Sequence, residues 1–279
     1  MITFHITGTR AEDLVVLPGG PATLRFDLLG SVEQVLEVWL PHGSVVEVRA
    51  ARIAADTTLD RVVDTRRRWV HHGSSISHCL EAPRPTETWP AIVARRAEVE
   101  LLNLGLGGQC MLDQFVARTM RDEPADLLSL KVGINVLNGD TMRERTFLPA
   151  LHGFLDTVRD GHPSTPFLVV TPIHCPLVED HPGPTVLEEN GHFAVVPRSV
   201  RLATGALTLR RVREVITEVV TTRQQAGDVD LHLLDGLALF SDADAHLLPD
   251  QLHPNAEGYR RIADRFSELV FDGGPFSAA

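Results

Sequence analysis

Two short stretches carry side chains whose types and spacing suit acyl transfer through a nucleophile. Asp250-Gln251-Leu252-His253 sets a carboxylate three residues before a histidine, just ahead of a helix-like segment from Ala256 to Phe266. An imidazole oriented by a carboxylate can take a proton from a hydroxyl and return it to a leaving group, so this pair calls for a nucleophile elsewhere. Gly73-Ser74-Ser75-Ile76-Ser77 offers one, following the apolar pair Trp69 and Val70, which reads as a strand end opening into a loop. Ser74 and Ser75 carry the same hydroxyl on adjacent residues and compete for the role.

Two further segments lie between the serine and the histidine. Asn103-Leu104-Gly105-Leu106-Gly107-Gly108 and Gly133-Ile134-Asn135 each follow an apolar run. With them the chain resembles the SGNH (GDSL-type) hydrolases, named for their Ser, Gly, Asn and His. Four blocks stand in the family's order between Trp69 and Phe271. The resemblance implies Ser75 as nucleophile, because it lies two residues after Gly73, with His253 as base and Asp250 as the acid that orients it. It implies an oxyanion hole made by the backbone N–H of Ser75, the backbone N–H of Gly108 and the side-chain amide of Asn135. Taken singly, Gly108 reads as a turn glycine, Asn135 as a turn or cap and Asp250 as a helix cap. Their order together favours the catalytic reading. Asp235, at the end of Leu233-Leu234, is a rival acid, and its distance from His253 in sequence assigns it a structural role. Ser74 and Val136 stand where the family often carries aspartates. Neither is a triad member, so the chemistry is expected to survive with a differently braced nucleophile loop.

The elements that must position these residues follow from the pattern around them. From Trp69 onward apolar runs alternate with helix-period segments, the signature of a parallel sheet covered on both faces. Strands are expected at Trp69 to His72, Val99 to Leu104, Leu127 to Val132, Phe167 to Thr171 and Leu231 to Leu234. Helices are expected near Trp89 to Ala97, Asp113 to Arg121, Phe147 to Arg159 and Leu209 to Gln224, the last with Leu209, Val212, Ile216 and Val219 on one stripe. Sites in such sheets gather beyond the carboxyl ends of the strands, where the first three blocks fall. The expected fold is therefore α/β, flavodoxin-like, over residues 66–279, and the strand order 2-1-3-4-5 comes from the resemblance alone. Residues 1–65 carry short β-like runs at Ala22 to Leu29, Val35 to Leu40 and Ser44 to Ile53, which predict a small antiparallel module leaning on the larger domain. Residues 172–197, rich in Pro, His and acidic residues, read either as a pocket-shaping loop or as a surface excursion.

Composition narrows the partners. With 279 residues, 43% apolar content and a formal charge of -11, the chain is long enough for a large core and lacks the clustered cations of a nucleic-acid surface. Arg66-Arg67-Arg68 is the basic run, read as a solvated linker. No 18-residue apolar span exists, and the N-terminal residues lack a secretory pattern, so no membrane partner and a cytoplasmic location are expected. Cys79, Cys110 and Cys175 suit reduced thiols. The spacing of His71, His72, His78 and His174 lacks a metal-site form, although these side chains can line a pocket. Neither a metal nor a cofactor is expected.

The expected reaction is cleavage of a small acyl ester through an acyl-serine. Within the family the chain resembles a branch with an N-terminal β module that includes acyltransferases acting on polyketide natural products. Transfer of the acyl group to an alcohol is therefore the alternative. A third reading, a non-catalytic carbohydrate-binding or interaction protein, has Trp39 as its sugar platform, but packing explains that residue more readily.

Overall fold

Ile2, Phe4 and Ile6 alternate with polar residues, the period-two pattern of a strand. In a computed structural model of the chain, β1 (Ile2–Thr7) pairs antiparallel with both β2 (Glu12–Val16) and β3 (Glu37–Trp39). The structure describes residues 2–7, 12–16, 23, 37–50, 52, 55, 58, 60, 62–199 and 204–277, the first two segments by backbone alone. Of the strands expected in the N-terminal region, Val35 to Leu40 contains β3, and Ala22 to Leu29 lies almost wholly outside the described residues. Ser44 to Ile53 is corrected. Its described residues form no strand, and Val45 and Val48 stand exposed, so the run has no buried apolar face to hold it in a sheet.

The remaining apolar runs build the larger sheet. Its strands are β4 (Arg68–Gly73), β5 (Glu100–Gly105), β6 (Leu127–Lys131), β7 (Phe167–Val170) and β10 (Leu231–Leu234), all parallel. Their spatial order is β5-β4-β6-β7-β10, which is 2-1-3-4-5 when the five are counted along the chain. β7 reads as a continuous apolar run, Phe167-Leu168-Val169-Val170, because both faces of the sheet are covered. Alternate side chains of β7 show it: Phe167 and Val169 join one core cluster, Leu168 and Val170 the other. One face packs α3 (Gln114–Asp122), α5 (Glu144–Arg159) and α6 (Leu209–Gln225), and the other packs α2 (Trp89–Arg96) and α8 (Ala256–Phe266). On the second face Trp69 stacks on Phe266 at 5.5 Å, beside Trp89.

Three very short helices open directly beyond strand ends: α1 (Ser75–His78) after β4, α4 (Ile134–Asn138) after β6 and α7 (Gly236–Leu239) after β10. Because β5 and β6 flank β4 on opposite sides, the winding reverses at β4, and the crevice of an open α/β sheet lies at such a point. The register puts Gly73 level with Gly105 and with Lys131, so the loops carrying Ser75, Gly108 and Asn135 leave the sheet at one height. The long connection of residues 172–197 contains a hairpin, β8 (Thr185–Leu187) with β9 (Phe193–Val195). Among the described residues no helix is long and apolar enough to cross a membrane.

The segment ahead of the His253 turn is tied to α8. Asp244 is buried and accepts from Arg261 Nη1 at 2.7 Å, from the Ser241 N–H at 2.8 Å and from Arg265. Burial alone raises a carboxyl pKa, but the hydrogen bonds from Arg265, Ser241 and Arg261 outweigh it and hold Asp244 far below the usual carboxylate range. Since its folded value is depressed, its contribution to stability is complete above the unfolded value of about 3.9 and is lost as pH falls below it. We expect the melting temperature of the native protein to fall more steeply below about pH 4 than that of Asp244→Asn. Parallel melting curves from pH 3 to 7 check this, and equal acid limbs would refute the assignment.

Candidate active site

The loop carrying Ser75 is shaped by close approaches that exclude side chains. A Cβ at Gly105 would lie 2.5 Å from the backbone nitrogen of His78, so the loop after β5 touches the backbone of α1. Asn103 reinforces the contact by donating from Nδ2 to the Ser77 carbonyl at 2.9 Å while its Oδ1 accepts from the Gly105 N–H. Ser74 caps α1: its Oγ accepts from the Ile76 N–H, and its carbonyl accepts from the N–H groups of Ser77 and His78. Ser74 thus fills a bracing role with a hydroxyl where the related pattern often has a carboxylate. Beneath it His71 bridges Ser129 Oγ and Ser77 Oγ at 2.7 and 2.8 Å through its two ring nitrogens. Burial pushes the His71 pKa well below its ordinary value, so the ring is neutral and one nitrogen donates while the other accepts.

Ser75 begins α1 with its side chain turned to the histidine. Its Oγ lies 2.9 Å from His253 Nε2, and His253 Nδ1 lies 2.6 Å from Asp250 Oδ2. The other carboxylate oxygen, Oδ1, accepts from the backbone N–H groups of Leu252 and His253 at 2.9 and 2.7 Å. Burial would raise the Asp250 pKa, but the His253 N–H, the His253 ring and the Leu252 N–H together lower it. The acid therefore stays ionised and acceptor-only, which fixes the imidazole with its proton on Nδ1 and its lone pair toward Ser75. Asn255 then caps α8 by accepting from the Gly258 N–H at 3.0 Å.

The two loops flanking α1 supply donors. Gly133, at a φ of +130°, starts α4, and a Cβ there would lie 2.5 Å from Val212 Cγ1, so glycine is required on both counts. The next turn presents Asn135, 5% exposed, whose Oδ1 accepts from the Cys110 N–H at 3.0 Å. That bond sets the amide orientation, because an N–H can face only the oxygen, and it leaves Nδ2 as a free donor among the described residues. Gly108 sits exposed at a φ of +72°, and no described carbonyl accepts from its N–H. Cys110, beside both, is fully buried, and burial pushes its thiol up to about 12, so it is an inert hydrophobe.

Other candidates separate from this cluster. His71 and His72 are fully buried in the core, which corrects the expectation that they line a pocket; His72 bonds the Leu104 carbonyl from Nδ1. His174 lies between Glu179 and Asp242. Asp235 caps α7 by accepting from the Leu237 N–H and from the Thr171 hydroxyl, a structural post. Two contacts of His253 had no signal in the sequence. Phe193, from the hairpin of the long connection, meets the His253 ring edge to face at 5.6 Å, and its N–H donates to the Asp250 carbonyl. Glu81 Oε1 lies 3.7 Å from His253 Nδ1. Glu81, Asp250 and His253 bring one potential metal-ligand atom each within 4.8 Å. Nδ1 and the Asp250 carboxylate are already bonded to each other, so a metal there must break the histidine–aspartate pair.

The sequence pattern of the GDSL-like lipase/acylhydrolase family matches residues 72–261. A salicylyl-acyltransferase from a tetracycline biosynthetic pathway superposes with a TM-score of 0.76 at 26% identity, over 95% of this chain and 71% of that one. A Bacteroides ovatus protein described as a GDSL-like lipase matches with a TM-score of 0.62 at 19% identity, over 95% of this chain and 72% of its own. A family two carbohydrate esterase from Clostridium thermocellum matches at 0.57 and 12%, over 96% and 85%. The last two likenesses are of fold. No curated protein sequence matches the chain.

The geometry separates the two neighbouring serines. Ser74 Oγ is spent on a helix cap and is 1% exposed, whereas Ser75 Oγ faces His253. A serine-reactive phosphonate is expected to modify Ser75 alone, with Ser75→Ala unlabelled. Ser74→Ala is expected to label normally while losing about 1 kcal/mol of stability with its cap. Mass mapping of the adduct decides, and an adduct on Ser74 reverses the assignment.

Proposed function

The chain belongs to the GDSL-like lipase/acylhydrolase family, and we propose that it cleaves a small acyl ester through an acyl intermediate on Ser75, with Asp250 and His253 completing the triad. The carrying observation is the unbroken line from Asp250 Oδ2 through the His253 ring to Ser75 Oγ, with contacts of 2.6 and 2.9 Å. As Ser75 Oγ bonds to the ester carbonyl carbon, its proton passes to His253 Nε2, and Asp250 stabilises the imidazolium that forms. The carbonyl oxygen becomes an oxyanion, facing the N–H groups of Ser75 and Gly108 and the Asn135 Nδ2. A donor so placed contributes about 3 kcal/mol in the transition state. When the tetrahedral centre collapses, the bond to the alcohol oxygen breaks and His253 returns the proton to it. Water, deprotonated by the same nitrogen, then attacks the acyl-Ser75; the bond from Ser75 Oγ to the acyl carbon breaks, His253 returns the proton to Oγ, and the acid leaves.

A second reading has one specific observation in its favour. The salicylyl-acyltransferase shares 26% identity over 95% of this chain, and replacing water by an alcohol in the last step turns hydrolysis into transfer with the same residues. The chemistry of Ser75 is common to both, so the acceptor site decides. A release assay with aryl esters of graded acyl length, run with and without candidate alcohols, separates them by product. Free acid as the main product with every acceptor supports hydrolysis, and acylated alcohol supports transfer. Incubation with EDTA is expected to leave turnover unchanged, and zinc-restored activity after chelation would overturn the metal-free mechanism.

The role proposed for Asn135 has a kinetic signature. Its Nδ2 acts on charge present only in the transition state, so Asn135→Ala is expected to lower kcat by roughly a hundredfold or more with little change in KM. Kinetics and melting on the same variant check this. A large rise in KM, or a lowered melting temperature with near-normal kcat, would leave the two backbone N–H groups as the oxyanion hole.

A further inference from the structure

The nucleophile segment and the base segment meet at a second point that the reaction above does not use. The Tyr259 side chain is fully buried, and a buried phenol hydroxyl requires an acceptor. It donates to Glu81 Oε2 at 2.5 Å. Burial, with Cys79 and Glu81 adding to it, pushes the phenol far above its ordinary range, so it stays a donor at every working pH. Because Tyr259 holds Oε2, the remaining oxygen, Oε1, is turned to within 3.7 Å of His253 Nδ1. The contacts Ser75–His253 and Glu81–Tyr259 each span 178 residues, so they close the same two segments in parallel.

We propose that Glu81 is a second acidic positioning residue for His253, oriented by Tyr259, which places negative charge beside the imidazole and substitutes in part for Asp250 when that carboxylate is lost. The inference rests on the proposed role of His253 as base. Asp250 is the stronger partner, at 2.6 Å against 3.7 Å, and the Glu81 side chain is 31% exposed, so solvent screens much of its charge while Asp250 is present. Removing Asp250 frees the Nδ1 proton, and Oε1 is the carboxylate oxygen already beside it. The cost of losing the Glu81 charge must then grow.

The test is a double-mutant cycle on the full chain, with kcat and KM measured for p-nitrophenyl acetate. Glu81→Gln removes the charge but keeps an amide oxygen for Tyr259, so the link between segments survives, and melting temperatures check this. Its effect is measured in the native background and in Asp250→Ala, with Asp250→Asn as the second background should the alanine variant not fold. The loss in kcat from Glu81→Gln is expected to be on the order of tenfold larger in the Asp250 variant than in the native protein, with KM changed less than about twofold. An equal loss in both backgrounds, whatever its size, overturns the inference. Ser75→Ala and His253→Ala run alongside. If either keeps full turnover, the triad reading itself fails, whereas their inactivity with equal Glu81 losses overturns the Glu81 role alone.

Discussion

A single hydrogen bond, 2.9 Å between Ser75 Oγ and His253 Nε2, joins residues 178 apart in the chain, and most of the architecture serves to close it. The proton transfer proposed across that bond would tolerate little error in distance, which requires both ends to be held by rigid elements. At the serine end β4, hydrogen-bonded along both edges by β5 and β6, fixes the point from which α1 leaves the sheet. At the histidine end the turn is set by Asp250, which bonds two backbone N–H groups as well as the ring, and by the cap that Asn255 places on α8.

Holding α1 so rigidly requires polar groups inside the core. His71, Ser129 and Ser77 are all fully buried directly beneath the nucleophile, and Trp69 donates its indole N–H to Ser129 at 2.7 Å. An unpaired polar group there would cost about 1–3 kcal/mol, so the chain of hydrogen bonds is what makes the burial tolerable. Lys131 ends the neighbouring strand on the same face, 3% exposed, and burial lowers its ammonium pKa to about 8. The cost of these groups is offset by the aromatic cluster of Trp69, Trp89 and Phe266 beside them, whose large apolar area is wholly out of water.

The long connection after β7 has a positioning role as well. A third apolar cluster joins Cys175 and Val178 of that connection to Ile134 of the Asn135 helix and to Leu252 of the base turn, with Phe193 and Val195 packed against it. The segment therefore touches both the Asn135 helix and the His253 turn. Its proximal part is a structural brace, and its hairpin brings an aromatic edge to the His253 ring.

Much of this was legible in the residues themselves. Short runs rich in apolar residues mark strands buried on both faces, and the five expected strands lie within one residue of those observed at every end. Residue types also announced the chemistry, since a carboxylate three residues before a histidine can fold onto it within a single turn. What remained hidden was whatever depended on partners distant in sequence. The helices α1, α4 and α7 are one turn each, too short to show a period, and their existence follows from caps and from strand ends that only the sheet defines. The described residues of Ser44 to Ile53 have strand-like composition and no strand, because a sheet is held by one buried face and Val45 and Val48 lie in solvent. Glu81 is the clearest case: nothing in Cys79-Leu80-Glu81-Ala82 suggests a role, and only the packing of α8 against the nucleophile segment brings the Tyr259 hydroxyl to one of its oxygens and His253 to the other. Local pattern determines which residues form strands and which side chains can exchange protons; the ångström-scale distances between them are set by the closing of the sheet and its two cores, a long-range packing that no short window of sequence contains.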